Sequence, residues 1–244
     1  MTIHFIAIGG SVMHQLALAL QQAGHTVTGS DDEIFEPSAS HLQQAGLLPT
    51  AMGWFPEKIT SHIDVVILGM HARKDNPELL AAQEKGLKIY SYPEYIYEHS
   101  KNKKRVVIAG SHGKTTTTAM VMHVLKTCQK DFDYLVGASL EGFAQTVRLS
   151  TDAQMIVIEG DEYFASPLSA VPKFVHYQHH IGLITGIAWD HINVYPNFND
   201  YVQQFRYFAA QTPIGEEGAL FFCENDTETV NLCHELSSAI HKQG

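Results

Sequence analysis

Four short apolar runs limit what this chain can fold into more than any other feature: Phe5-Ile-Ala-Ile-Gly9, Val65-Val-Ile-Leu-Gly69, Val106-Val-Ile-Ala-Gly110 and Met155-Ile-Val-Ile-Glu159. None alternates between apolar and polar residues, and each stops abruptly. A strand that is apolar on both sides has to be covered on both faces, and helical stretches between the runs supply that cover. The pattern implies a parallel, doubly wound α/β architecture. Sheets of that kind bind ligands outside the carboxyl ends of their strands, so chemistry is to be sought where the runs stop.

The helices fall where this plan needs them. Val12–Ala23 ends at Gly24, Pro77–Lys85 ends at Gly86, Thr115–Cys128 follows the third run, and Thr227–Lys242 reads as a last helix. Glycine just past a helix accepts the left-handed turn that stops it. The basic stretch Glu98–Arg105 lies between the two sets of runs and reads as a solvated linker, dividing the chain into domains 1–102 and 103–244. At 244 residues, 45% of them hydrophobic, both domains are able to bury a core. Sixteen Lys and Arg against 26 Asp and Glu leave a net charge of −10, which excludes a broad nucleic-acid footprint or adhesion to an anionic membrane. A polyanionic ligand must therefore be held by local donors. Three cysteines without metal-ligand spacing fit reduced thiols in the cytoplasm, and no apolar run approaches the roughly 20 residues of a membrane span. The expectation is a cytoplasmic protein with neither nucleic-acid nor membrane partners.

The third run opens into Gly110-Ser-His-Gly113-Lys114-Thr115-Thr116-Thr117-Thr118 and then a helix. Strand, glycine turn, Lys-Thr and helix come in the order that a phosphate cradle requires. Glycines let backbone N–H groups converge on phosphate oxygens, Lys114 neutralises them and the Thr115 hydroxyl reaches a magnesium ion. Ile108 stands where the generic phosphate-loop pattern has its first Gly. The fourth run ends in Glu159-Gly-Asp161-Glu162, and Glu159 is the best carboxylate for that ion, Asp161 and Glu162 reading more simply as a solvated acidic turn. A further buried run from Ile181 ends in Trp189-Asp190-His191, where the imidazole is placed for a second cation or a transferring phosphate, with Asp190 beside it to orient it. His176, His179 and His180 lack ligand spacing and read as packing or surface groups. In the first domain, Phe5–Ile8 leads into Gly9-Gly10-Ser11, and Asp31 ends the second strand 21 positions after Gly10. That spacing matches the ribose-binding acid of dinucleotide folds, although Ala7 and Val12 replace the outer glycines of Gly-x-Gly-x-x-Gly.

Taken together, Ile8-Gly-Gly10 then Met13, Gly29-Ser-Asp31, Asp75-Asn-Pro-Glu78, the phosphate loop, Ile158-Glu-Gly-Asp-Glu-Tyr163 and Asp190-His191 resemble the Mur ligase family over nearly the whole chain. These are ATP-dependent amide-bond ligases acting on UDP-N-acetylmuramoyl compounds. The resemblance implies a Rossmann-like UDP-sugar-binding domain followed by a P-loop-type ATP-binding α/β domain, incomplete here, without the family's C-terminal domain and so without turnover by itself. ATP and Mg²⁺ are the implied cofactors. Gly110, Ser111, His112, Gly113, Lys114, Thr115 and Thr116 would bind ATP, and Thr115, Glu159 and His191 would hold metal. Lys114, Glu159 and His191 would be catalytic, while Gly9, Gly10, Ser11, Val12, Met13, Ser30, Asp31 and His71 would line the UDP-sugar site. Asp161-Glu-Tyr163 followed by Lys173-Phe-Val-His-Tyr177 resembles the branch that works in peptidoglycan recycling. That branch joins UDP-N-acetylmuramate to a murein peptide, L-alanyl-γ-D-glutamyl-meso-diaminopimelate, through an acyl phosphate. The alternatives are the branch that adds L-alanine to UDP-N-acetylmuramate, a dinucleotide-binding oxidoreductase domain, and a non-catalytic nucleotide-sensing module. Val12, Gly160 and Phe164 depart from the family's strings, and Arg206 lies near the place where some relatives carry a carbamylated Lys.

Overall fold

A computed structural model describes residues 1–213, 215 and 217–243, with side chains to 236; Gly244, where the second expected domain ends, lies outside them. The chain divides into two compact units, the first made of Met1–Glu98 with Ser139–Thr151 and Phe164–Ala170, the second of the remainder from His99.

In the first unit β1 (Thr2–Ile6), α1 (Ser11–Gln22), β2 (Thr26–Ser30), α2 (Ser38–Gln44), β3 (Val65–Leu68), α3 (Pro77–Glu84), β4 (Lys88–Ser91) and α4 (Tyr92–His99) follow one another along the chain. The strands form one parallel sheet in the order β2-β1-β3-β4. β3 is buried along its whole length, and α1 buries Leu16, Ala17 and Leu20, as two-sided cover demands. The Asn76 side chain accepts from the N–H groups of Glu78 and Leu79 ahead of Pro77, which starts α3 where both capping and proline geometry place it. Strand β4 and helix α2 were not legible in advance. Lys88-Ile-Tyr-Ser91 is a half-exposed edge strand without a continuous apolar run, and α2 has only seven residues, two of them buried.

A buried polar link crosses this unit. His4 Nδ1 lies 2.8 Å from Thr28 Oγ1, His4 Nε2 lies 3.2 Å from Glu78 Oε2, and the Phe55 N–H donates to Glu78 Oε1 at 2.8 Å. Burial opposes the charge on Glu78, yet its hydrogen bonds with His4, Ser30 and Phe55 outweigh that and hold the carboxyl below its ordinary value.

The second unit carries β5 (Lys104–Ala109), α5 (Lys114–Thr127), β6 (Asp133–Leu135), β8 (Met155–Glu159), α6 (Lys173–His176), β11 (Ile181–Ile184), α7 (Phe198–Ala210), β12 (Ala219–Phe222) and α8 (Thr227–Gln243). Of the short strands between, β7 (Val147–Arg148) and β9 (Phe164–Ser166) belong to the first unit's segments, and β10 (Ser169–Pro172) completes a hairpin with β9. The strands β12, β11, β5, β8 and β6 are neighbours in that order and run parallel. Register places Ile108 beside Glu159 and Ala109 beside Ile184, so three strands end together at one edge.

The basic stretch is not the solvated linker that its composition suggests. Only four residues separate α4 from β5, and Ser100, Lys103 and Arg105 are buried. The Arg105 guanidinium donates to the carbonyl oxygens of Ser100 at 2.7 Å and Gln178 at 3.0 Å, and the Lys103 ammonium pairs with the fully buried Asp133. Carbonyl groups and one acid at the amino edge of the sheet need buried donors, and these two side chains supply them. Lys101, Asn102 and Lys104 remain exposed. Replacing Lys103 with Met takes the nearer cation from the buried Asp133, whose pairing with His99 Nε2 spans 3.8 Å, which should lower stability to urea by about 3 kcal/mol. Lys104→Gln, one residue away and exposed, should change it by less than about 0.5 kcal/mol. Equal effects in the two urea titrations would return the stretch to the role of a linker.

Candidate functional site

The phosphate loop begins where β5 stops. Gly110 has φ 126°, and a Cβ there would meet Thr185 Oγ1 at 2.1 Å, so only glycine fits between the two strand ends. The Ser111 N–H donates to the Gly186 carbonyl at 2.9 Å, and the Ser111 hydroxyl lies 2.9 Å from the Tyr201 hydroxyl while accepting from the Ala188 N–H. The Thr185 hydroxyl donates to the His112 carbonyl at 2.6 Å, which ties the loop to the end of β11. Gly113, with φ 80°, then turns the chain into α5 at Lys114.

Lys114 Nζ donates to the Gly110 carbonyl at 2.6 Å and to Glu162 Oε1 and Oε2 at 2.9 and 3.2 Å. The Thr115 hydroxyl donates to Glu159 Oε1 at 2.8 Å, and the Gly137 N–H donates to Glu159 Oε2 at 3.0 Å. Thr116 and His112 are exposed at the start of the helix. Five of the expected nucleotide residues therefore converge through bonds within the loop or to its neighbouring strand ends, and Glu159 stands against Thr115.

Glu162 is a correction to the sequence reading. It is 1% exposed, so it is no part of a solvated acidic turn. Burial pushes its carboxyl up to about 7 against the opposing pull of Lys114. Asp161, by contrast, is partly exposed and accepts from Lys173 Nζ at 2.6 Å. His191 Nε2 lies 3.5 Å from Glu162 Oε2, and its ring packs 4.3 Å from that of Tyr163. Its backbone is left-handed at φ 55°, with its N–H donating to Asp190 Oδ1 at 2.7 Å; Asp190 thus fixes the turn that presents the imidazole. Among the described residues no group of three or more His, Cys, Asp or Glu side chains gathers as a metal site. One carboxylate and one hydroxyl, Glu159 and Thr115, do suit magnesium, which takes few protein ligands and completes its shell with phosphate and water. His179 is wholly buried, 4.1 Å from the Phe208 ring, a packing residue as its spacing implied.

The first unit has its own concavity. A cavity of about 510 Å³ is lined by the Gly9-Gly10-Ser11 turn, Asp31 to Glu33, Phe35 to Ser38 and His71, together with His14. Asp31 Oδ2 accepts from the Gly9 N–H at 2.7 Å, and a Cβ on Gly9 would meet that same oxygen at 2.9 Å. Ala7, where a dinucleotide fingerprint has its first Gly, adopts φ 67° nonetheless, and its N–H donates to the Ser30 carbonyl at 2.9 Å. Val12, Met13 and Ser30, expected at the ligand, do not line the cavity. Met13 is buried in the unit, and the buried Ser30 hydroxyl accepts from Lys58 Nζ at 3.3 Å. Sequence reasoning missed His14, which is 2.9 Å from Ser38 Oγ and 3.0 Å from the Gly10 carbonyl, with burial pushing its pKa down. A single His inside an apolar helix carries no spacing signal that would have found it.

Two parallel α/β units, each with a glycine turn at a strand end answered by an acid from a neighbouring strand end, define a tandem α/β protein. Residues 2–104 match the Mur ligase family, catalytic domain, and residues 108–242 match the Mur ligase middle domain. The chain belongs to the Mur ligase family. It is 29% identical over 227 residues to the UDP-N-acetylmuramate–L-alanyl-γ-D-glutamyl-meso-2,6-diaminoheptandioate ligase of Escherichia coli (strain K12), covering 93% of this chain and 49% of that protein. It is 34% identical over 242 residues to the UDP-N-acetylmuramate–L-alanine ligase of Persephonella marina, covering 99% of this chain and 50% of that one. Among solved structures, the UDP-N-acetylmuramate:L-alanyl-γ-D-glutamyl-meso-diaminopimelate ligase of Neisseria meningitides superposes with a TM-score of 0.85 at 26% identity, over 96% of this chain and 74% of that one. The chain spans about half the length of the curated relatives it matches. Membership of this family leaves the oxidoreductase alternative without support.

Burial, followed by the neighbouring Asp32, pushes the Asp31 carboxyl up to about 6, against the bond from Gly9. A carboxyl raised on folding favours the native state below its unfolded value near 4 and loses that contribution as pH rises through about 6. The stability of Asp31→Asn relative to the parent should therefore increase between pH 4 and pH 6.5 and then level off. Thermal melts of both proteins across that range check it, and a flat difference would show that Asp31 is an ordinary exposed acid.

Proposed function

We propose that this chain supplies the UDP-sugar and ATP sites of an ATP-dependent ligase that joins UDP-N-acetylmuramate to L-alanyl-γ-D-glutamyl-meso-diaminopimelate in peptidoglycan recycling. The observation that carries the reading is the convergence of Lys114, Thr115, Glu159 and Glu162 at the shared edge of β5 and β8. Lys114 would neutralise the phosphates, while Thr115 and Glu159 would hold Mg²⁺, which when bound withdraws charge from the phosphate oxygens. His191 lies beside Glu162 at the same edge and is placed to meet a transferring phosphoryl group. In the reaction the muramate carboxylate would attack the γ-phosphorus with loss of ADP. The peptide amine would then attack the acyl carbon with loss of phosphate and a proton. No protein nucleophile is needed; the chain's residues position two anions and offset their charge.

For the first unit, the backbone N–H groups of the Gly9–Ser11 turn and the start of α1 would meet the diphosphate, and Asp31 and its acidic neighbours would accept from sugar hydroxyls. The likeness to the Neisseria enzyme supports the tripeptide branch, with a TM-score of 0.85 against 0.72 for the L-alanine ligase of Thermotoga maritima. The 34% identity to the Persephonella enzyme is the observation that favours L-alanine as a second reading. In a ligase that contains this chain, phosphate release that requires the tripeptide and not L-alanine would decide for the first. We place this work in the cytoplasm; no helix among the described residues is long and apolar enough to cross a membrane.

Calorimetric titration of the 244-residue chain should show saturable binding of UDP-N-acetylmuramate and none of NADH. Lys114→Ala should abolish binding of Mg-ATP while leaving UDP-N-acetylmuramate affinity within about threefold, roughly 0.7 kcal/mol. Glu159→Ala should weaken the magnesium dependence more than Asp161→Ala. Loss of both ligands in a folded Lys114→Ala protein would refute the assignment of two separate sites.

A further inference from the structure

We propose that Glu162 is a positioning residue that holds Lys114 away from phosphate in the ligand-free loop and thereby sets how weakly the site binds nucleotide. The inference deepens the ATP reading and rests on it. The Lys114 ammonium has three protons, and in this structure Gly110 O, Ser111 O and the Glu162 carboxylate take them, at 2.6, 3.3 and 2.9 Å. Two of those acceptors are carbonyls of the loop itself, so the ammonium is turned back onto the cradle. Any phosphate that enters has to replace these partners.

Glu162 cannot follow the exchange by moving to water. Its side chain is 1% exposed, it sits three residues past the end of β8, which Gly160 pins through its N–H to Ile108 O at 2.7 Å, and the Tyr195 hydroxyl donates to its main-chain carbonyl at 2.6 Å. Once Lys114 turns to phosphate, a desolvated carboxylate is left beside a polyanion, with His191 Nε2 3.5 Å from Glu162 Oε2. Glu159 is in a different position, because Thr115 and the Gly137 N–H hold it and Lys114 does not. Asp161 is different again, since Lys173 takes its charge. Glu162 alone of the three acids competes directly with phosphate for the loop lysine. Its consequence is a nucleotide site kept from binding ATP and ADP too tightly to release them.

The test is calorimetry of Mg-ATP and Mg-ADP with the parent chain, Glu162→Gln and Asp161→Asn, each checked for a cooperative melt. Removing the competing charge should tighten both nucleotides by about tenfold or more in Glu162→Gln, with Asp161→Asn close to the parent. Glu162→Met, of similar length and uncharged, carries the same expectation and replaces Gln if that protein does not fold. Unchanged or weaker binding in the folded Glu162 variants overturns the inference, as does equal tightening in Asp161→Asn, which would reduce the effect to general charge. Binding seen only in the Glu162 variant supports it. Binding in neither parent nor Glu162 variant overturns the ATP reading itself, and the inference falls with it.

Discussion

Strands covered on both faces leave polar side chains only one place to go, the ends. In each unit the parallel ladders use up the backbone donors and acceptors along the strand, and helices close both faces, so water and ligands meet the sheet only at its edges. The register of β5 with β8 and β11 brings Gly110, Glu159 and Thr185 to a common edge, within reach of one another although 49 and 26 residues separate them along the chain. Every feature of the phosphate loop depends on that alignment. Gly110 has to be glycine because Thr185 approaches it, and Thr115 meets Glu159 because one strand end lies beside the other.

The two edges of the second sheet handle buried charge by the same physics with opposite outcomes. At the amino edge Lys103 with Asp133, and Arg105 with main-chain carbonyls, form closed sets in which each charge is matched inside the protein. Such groups brace the sheet and never need to change partners. At the carboxyl edge Lys114 is matched to Glu162 just as closely, but it lies where a helix begins and glycines leave room for an anion. A pairing that must be exchanged for function is a brace in the free protein and a cost on binding.

Much of the fold could be read from residues alone, for reasons specific to the elements. β3, β5 and β8 were legible because four consecutive apolar residues have no other stable home, whereas the first run, Phe5–Ile8, overlaps β1 only at Phe5 and Ile6; α1, α3 and α5 began and ended within a residue of their expected bounds because Gly24, Gly86 and the Gly113 turn punctuate them. The half-exposed β4 and short α2 carry no comparable signal. That Lys114 and Thr115 start a helix beside Glu159 was legible because strand, glycine and hydroxyl come in sequence. Adjacency to a turn does not say which side chains point into it: Val12, Met13 and Ser30 do not line the cavity, Met13 is buried and the Ser30 hydroxyl accepts from Lys58. Ala7 shows the same gap from the other side, since the backbone required a left-handed residue and obtained it without glycine.

By itself, then, the sequence determined the alternation of buried strand and covering helix, the two glycine turns, and the family to which those turns belong. Each is a local property, set by the burial of a run or by the conformational freedom of a few residues. Only the tertiary structure decided which charges are partners. Glu162 belongs to Lys114 across 48 residues and Lys103 to Asp133 across 30, while the near neighbour Asp161 pairs with Lys173 instead. Hydrophobic periodicity records which faces are buried but says nothing of where the ends of long side chains meet. Those meetings depend on strand order and register, and they separate a solvated acidic turn from the buried counter-ion of the loop lysine.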